Sequence, residues 1–90
     1  MSAHDAGADA VVVDARGLRC PLPVIRLAAA ARGLPAGTVV TVLSTDPAAR
    51  HDVPAWARMR GHATVGEAGT TRDDDGATTW SITVRLGATT

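Results

Sequence analysis

The sequence predicts a two-layer α/β sandwich of order βαβαββ, in which two helices cover one face of a mixed four-stranded sheet. Three observations predict it. β-branched runs alternate with helical patterns over the first two thirds of the chain, as strand-helix-strand units require. The last stretch then alternates cleanly between apolar and polar residues, the pattern of a sheet covered on one side only. Finally, the 90 residues include ten Val, six Leu, two Ile, two Met and two Trp but no Phe or Tyr, enough for one two-layer core and for no second domain.

Residues 1–9 carry no periodicity and no large apolar group after Met1, so they are expected to be a flexible tail, with residues 10–90 as the single domain. Residues 10–14 read as the first strand, which Arg16-Gly17-Leu18-Arg19 breaks with a glycine. Pro21 and Pro23 suit the first turn of a helix, where N–H groups lack intrahelical partners, and this places Cys20 at the N-cap. Val24, Ile25, Leu27, Ala28 and Ala31 continue the helix as one inward stripe until Gly33 and Pro35 end it.

Residues 38–44 form a second strand with apolar side chains on both faces (Val39, Val40, Val42, Leu43), which suits an interior place in the sheet. Asp46-Pro47 reads as a helix start, but Pro54 would interrupt a helix begun there. The spacing therefore predicts a turn at 47–51 and a helix over 53–60, capped by Asp52 and ended by Gly61. Val53, Trp56, Ala57 and Arg60 share its inward face, flanked by Ala55 and Met59. Residues 62–68 and 78–86 are the last two strands, separated by Arg72 and the turn Asp73-Asp74-Asp75-Gly76. Trp80, Ile82, Val84 and Leu86 face inward; Thr79, Ser81, Thr83 and Arg85 face outward. Both tryptophans are core residues by this pattern. Right-handed crossovers put both helices on the same face.

Nine Arg balance nine Asp and Glu, so the composition supplies no long-range attraction to nucleic acid, and no direct nucleic-acid binding is expected. No apolar run approaches the roughly 20 residues of a membrane span, and the acidic start does not read as a signal peptide. The chain reads as a soluble cytoplasmic protein. One cysteine excludes an internal disulfide and a Cys-x-x-Cys site, and the absence of Lys excludes Schiff-base chemistry. His4, His51 and His62 lack metal-ligand spacing, and Asp73, Asp74 and Asp75 cannot converge on one ion from a tight turn, so neither metal nor cofactor is expected. Arg50, Arg58 and Arg60 flank the second helix, as a docking patch or as ordinary charged surface.

Cys20 is the side chain whose predicted position changes its chemistry. A thiol titrates near 8.5, and one at a helix N-terminus beside basic residues falls to roughly 3.5–7.5, so the N-cap position with Arg16 and Arg19 nearby predicts a thiolate. Pro21 and Pro23 stiffen the turn that presents the sulfur and remove N–H groups that would otherwise solvate it. A Cys-His-Asp hydrolase would need an oxyanion hole and a cleft in very few residues, even if His51 or His62 approached. The competing reading is an inert, buried cysteine.

The residues Asp14-Ala15-Arg16-Gly17-Leu18-Arg19-Cys20-Pro21-Leu22-Pro23 resemble the signature of the TusA/SirA family of small sulfur-carrier proteins. The similarity continues at Arg26, at Ser44-Thr45-Asp46-Pro47 and at Asp52-Val53-Pro54. It implies a βαβαββ sandwich whose Cys20 receives sulfane sulfur as a persulfide and passes it on, with Arg19, Pro21 and Pro23 shaping the site. Arg16, Arg26 and Asp46 would lie where partners dock. The resemblance implies a sulfurtransferase without cofactor, a donor of the cysteine desulfurase or rhodanese type and an acceptor protein. It leaves open tRNA thiolation, molybdenum-cofactor maturation and sulfur oxidation, and sulfur against selenium. The alternative of another class is a noncatalytic regulatory or interaction module with a structural cysteine. The acidic hairpin from Arg72 to Gly76 looks longer than the family's.

Overall fold

A computed structural model describes residues 10–87; the expected tail at 1–9 and residues 88–90 lie outside the described residues. Valines build the centre of the sheet. β1 (Ala10–Ala15) pairs in parallel with β2 (Val39–Ser44), and β2 pairs antiparallel with β5 (Thr78–Arg85). Val13 and Ala15 of β1, Val40 and Val42 of β2, and Ile82 and Val84 of β5 point to the same face and are buried, with Leu86 just beyond. The interior place expected for β2 is therefore observed. α1 (Leu22–Ala31) lies against β1 and β2, while α2 (Ala49–Arg60) lies against β5 and the edge strand β3 (Ala63–Thr64). The architecture is the predicted mixed sheet with two helices.

The sheet has five strands rather than four, because the segment expected as one strand at 62–68 is interrupted. β3 and β4 (Gly69–Arg72) both pair with β5 along one edge, Thr64 opposite Val84 and Gly69 opposite Ser81. Between them Gly66 adopts φ 68°, in the left-handed region, and the chain bulges. An edge tolerates this because only one side of the strand is hydrogen-bonded.

Helix boundaries differ more. The predicted start at 53 is wrong: α2 begins at Ala49 and runs through Pro54. The proline costs a backbone bond within the helix, one face of which, Ala49, Val53 and Ala57, is completely buried. Gly61, with φ 80°, ends the helix as expected, and its N–H bonds back to the last turn. Trp56 and Trp80 are only half-buried, at the rim of the core rather than within it. Trp56 lies 4.8 Å from the His62 ring and Trp80 lies under the Arg50 guanidinium at 4.9 Å. Met59 is 82% exposed.

α1 turns the expected face inward with one exception, Ile25. Pro23 and Leu27 are fully buried, Val24, Ala30 and Ala31 pack at the side, and Ile25 is 55% exposed. At 3.6 residues per turn Ile25 lies opposite Leu27, so the two cannot both face the sheet. Thr79, expected outward, is buried on the far face of the sheet opposite Thr71, and its Oγ1 has no hydrogen-bond partner.

Candidate functional site

The loops that leave β1 and β2 meet at one end of the sandwich, because the two strands are parallel neighbours and both run toward it. After β1, Gly17 adopts φ 84° and turns the chain, and Leu22 donates its N–H to the Arg19 carbonyl at 2.8 Å. Two consecutive side chains of the β2–α2 loop grip this turn. Thr45 Oγ1 accepts the Gly17 N–H at 2.9 Å, and Asp46 Oδ2 accepts the Cys20 N–H at 2.9 Å. Gly17, Leu18, Arg19, Thr45, Asp46 and Pro47 line a shallow depression of about 470 Å³ here.

Cys20 is half-buried and packs against the edge of the core. It is not the N-cap: the helix begins at Leu22 with Pro21 in the cap position, so the thiol stands one residue outside. The Cys20–Pro21 peptide bond is cis. The thiol is pushed up to about 11 rather than lowered, first by burial, then by the neighbouring Asp52 carboxylate and by the charge of Asp46. Two carboxylates, brought there by folding, replace the cationic surroundings that the sequence implied.

The arginines are distributed accordingly. Arg16 is bound by Asp14, with Nε to Oδ1 at 2.9 Å and a terminal nitrogen to Oδ2 at 2.8 Å. These bonds hold the Asp14 carboxyl at about 2, and the charge of Arg16 is matched within its own loop. Arg19 is exposed beside Asp46, whose carboxyl lies below the usual range because it accepts the N–H groups of Cys20 and Ala48, with a further contribution from Arg19. Arg26 is exposed on α1, close enough to Asp14 to favour its ionised form. Pro23 is buried under the first turn of α1, whereas Pro21 is exposed beside the thiol. The structure thus joins Cys20, Arg19, Pro21 and Asp46, and sets Arg16 and Arg26 to the side of β1.

Neither described histidine serves the thiol. His51 Nε2 accepts from Arg50 Nε at 3.2 Å, and His62 Nδ1 accepts the Gly87 N–H at 2.9 Å. His4 lies outside the described residues. Among the described residues no group of His, Cys, Asp and Glu side chains is arranged to hold a metal ion, and no helix is long and apolar enough to cross a membrane. The larger depression, about 550 Å³, lies at the other end of the helical layer between Ala28, Trp56, Met59 and Leu86, away from the thiol. Asp52 was missed as a neighbour of Cys20, because an Asp just before a helical pattern reads locally as a cap.

The raised thiol makes a prediction opposite to that from sequence. In the folded protein, alkylation of Cys20 by iodoacetamide should keep rising through pH 8.5 toward about 11; levelling off near neutrality would contradict the carboxylate environment. The folded thiol holds its proton above the pH at which the unfolded one loses it. Its contribution to stability is therefore complete below the unfolded value and lost as pH rises through about 11. Cys20→Ser should lack this alkaline slope in urea unfolding.

A small two-layer α/β domain with one half-buried cysteine between two strand-end loops, and no metal ligands beside it, defines a class of single-thiol proteins. The family described as "Sulfurtransferase TusA" matches residues 11–85. The sulfur carrier protein TusA of Pseudomonas entomophila (strain L48) is 44% identical over 70 residues, 74% of this chain and 81% of that protein. The sulfur carrier protein TusA of Pseudomonas savastanoi pv. phaseolicola is 45% identical over 56 residues, 62% of this chain and 67% of that protein. A solved structure of a SirA-like protein from Desulfitobacterium hafniense has a TM-score of 0.63 at 32% identity, covering 87% of this chain and 99% of that one. The chain belongs to the TusA family, and sulfur transfer is its class of activity.

Proposed function

We propose that the protein is a persulfide carrier of the cytoplasm, with Cys20 as the atom that holds the sulfur. The supporting observation is a single thiol at a strand-end surface in a chain with no second cysteine. An incoming persulfide R–S–SH meets the Cys20 sulfur, a bond forms from Sγ to the terminal sulfur, the donor S–S bond breaks, and R–SH leaves with the proton. No oxidant or cofactor is consumed. Because no internal thiol is present to expel the sulfur as a disulfide, the persulfide persists until an acceptor thiol or thiolation enzyme removes it. The proton goes to the departing R–S⁻, and once formed a thiolate of high pKa is intrinsically the stronger nucleophile. Intact-mass measurement after exposure to a cysteine desulfurase and free cysteine tests the reading.

Donor and acceptor proteins are recognised on the surface, since the depression beside the thiol is shallow. The exposed face of α1, the helix that begins two residues after Cys20, carries Leu22, Ile25 and Arg26. Arg26→Glu should slow sulfur uptake from a protein donor at low salt, with near-normal reactivity toward iodoacetamide and an unchanged melting temperature. Equal uptake rates for the variant and wild type would remove this face from donor docking. A structural cysteine in a regulatory module is the second reading, favoured by the packing of Cys20 against the core and by its raised thiol. It predicts no sulfur uptake at all.

A further inference from the structure

We propose that Asp46 is a positioning residue for sulfur exchange, its carboxylate fixing the Cys20 backbone to the start of α2. This rests on the carrier reading. Asp46 Oδ2 accepts the Cys20 N–H at 2.9 Å while Oδ1 accepts the Ala48 N–H at 3.0 Å, so one side chain joins two loops 26 residues apart. Its own orientation is determined from below: the Asp46 N–H donates to Ser44 Oγ at 3.0 Å, and Ser44 is fully buried at the end of β2. Pro21 and Pro23 have no N–H, so between Arg19 and Val24 only Cys20 and Leu22 have backbone donors to tether this turn. Leu22 uses its N–H within the turn, on the Arg19 carbonyl. The bond to Asp46 is the backbone tie of Cys20 to a distant segment, and a charged acceptor makes it stronger than a carbonyl would.

A carboxylate in this position has two opposed effects on the thiol. It holds the sulfur where a docked donor must find it, and its charge, together with that of Asp52, resists ionisation. Arg19 is the cation on its other side. Removing the charge should therefore make Cys20 easier to alkylate and worse at exchanging sulfur with a protein. A residue that only stabilised the fold, or only touched the partner, would not produce that divergence.

The test compares wild type with Asp46→Asn, which loses the charge and cannot accept with both of its side-chain termini, and with Asp46→Ala as the full truncation. For each, amide hydrogen exchange at Cys20, the pH profile of iodoacetamide alkylation, and sulfur uptake from a cysteine desulfurase are measured alongside the melting curve. In folded Asp46→Asn the Cys20 amide should exchange on the order of tenfold faster, the free-energy equivalent of one lost hydrogen bond. The alkylation profile should move to lower pH, and uptake should fall several-fold. Unchanged amide protection and an unchanged alkylation profile would overturn the proposal, even with slower uptake, because they would leave Asp46 as a partner contact alone. Normal uptake with a lost amide bond would also overturn it. Wild type that takes up no sulfur from an active desulfurase overturns the carrier reading instead, while the amide and alkylation measurements still decide whether Asp46 holds Cys20. If Asp46→Ala does not fold, Asp46→Asn carries the comparison.

Discussion

Exposed to an active cysteine desulfurase and free cysteine, the wild-type protein is expected to gain the mass of one sulfur atom, and Cys20→Ser to gain none. The loss should be complete rather than partial, because the chain has one cysteine and no other side chain that forms a persulfide. Serine replaces sulfur with oxygen at nearly the same size, and Cys20 is half-buried in a loop held by its backbone N–H, so the substitution should leave the fold intact. A melting curve checks that. The raised thiol sharpens the expectation: uptake should depend on the donor protein being present, since the free thiolate is scarce at neutral pH. Equal mass spectra for wild type and Cys20→Ser would exclude sulfur carriage at this position.

Leu27→Ala should destabilise the domain by about 2–5 kcal/mol, a large part of the ~5–15 kcal/mol that a small domain has. Leu27 is the largest side chain that α1 buries completely, the rest of its inward face being proline, valine and alanine. The melting temperature should fall by roughly 10 °C or more, and urea unfolding should give a lower midpoint at unchanged slope. Ile25→Ala, on the opposite side of the same helix, removes a similar volume from a residue that is 55% exposed and should stay within about 0.5 kcal/mol of wild type. Similar losses for the two variants would show that α1 packs by its other face.

The order of elements and the identity of the central strand were legible because strand and helix periods are local: Val39 to Leu43 and Trp80 to Leu86 declare their faces within a few residues. So was the single thiol followed by Pro21 and Pro23, which no folding can alter. Less was legible wherever two segments compete or meet. Pro54 counts against a long helix as a local penalty, yet the helix runs through it with Ala49, Val53 and Ala57 completely buried. Ile25 and Leu27 are equally apolar, and the direction of the sheet, not their hydrophobicity, chooses between them.

By itself, the sequence determined two strand-helix units followed by antiparallel strands, one cysteine, no internal disulfide and no lysine chemistry, though not the break that makes the sheet five-stranded. Tertiary structure alone decided the state of that cysteine. Arg16 and Arg19 are its neighbours along the chain, but Arg16 is bound to Asp14, while Asp46 and Asp52 reach the thiol from 26 and 32 residues away. Electrostatic effects act through distance in space, which parallel pairing of β1 with β2 sets by bringing their two loops together, and so the sign of the thiol's shift was not written in the residues around it.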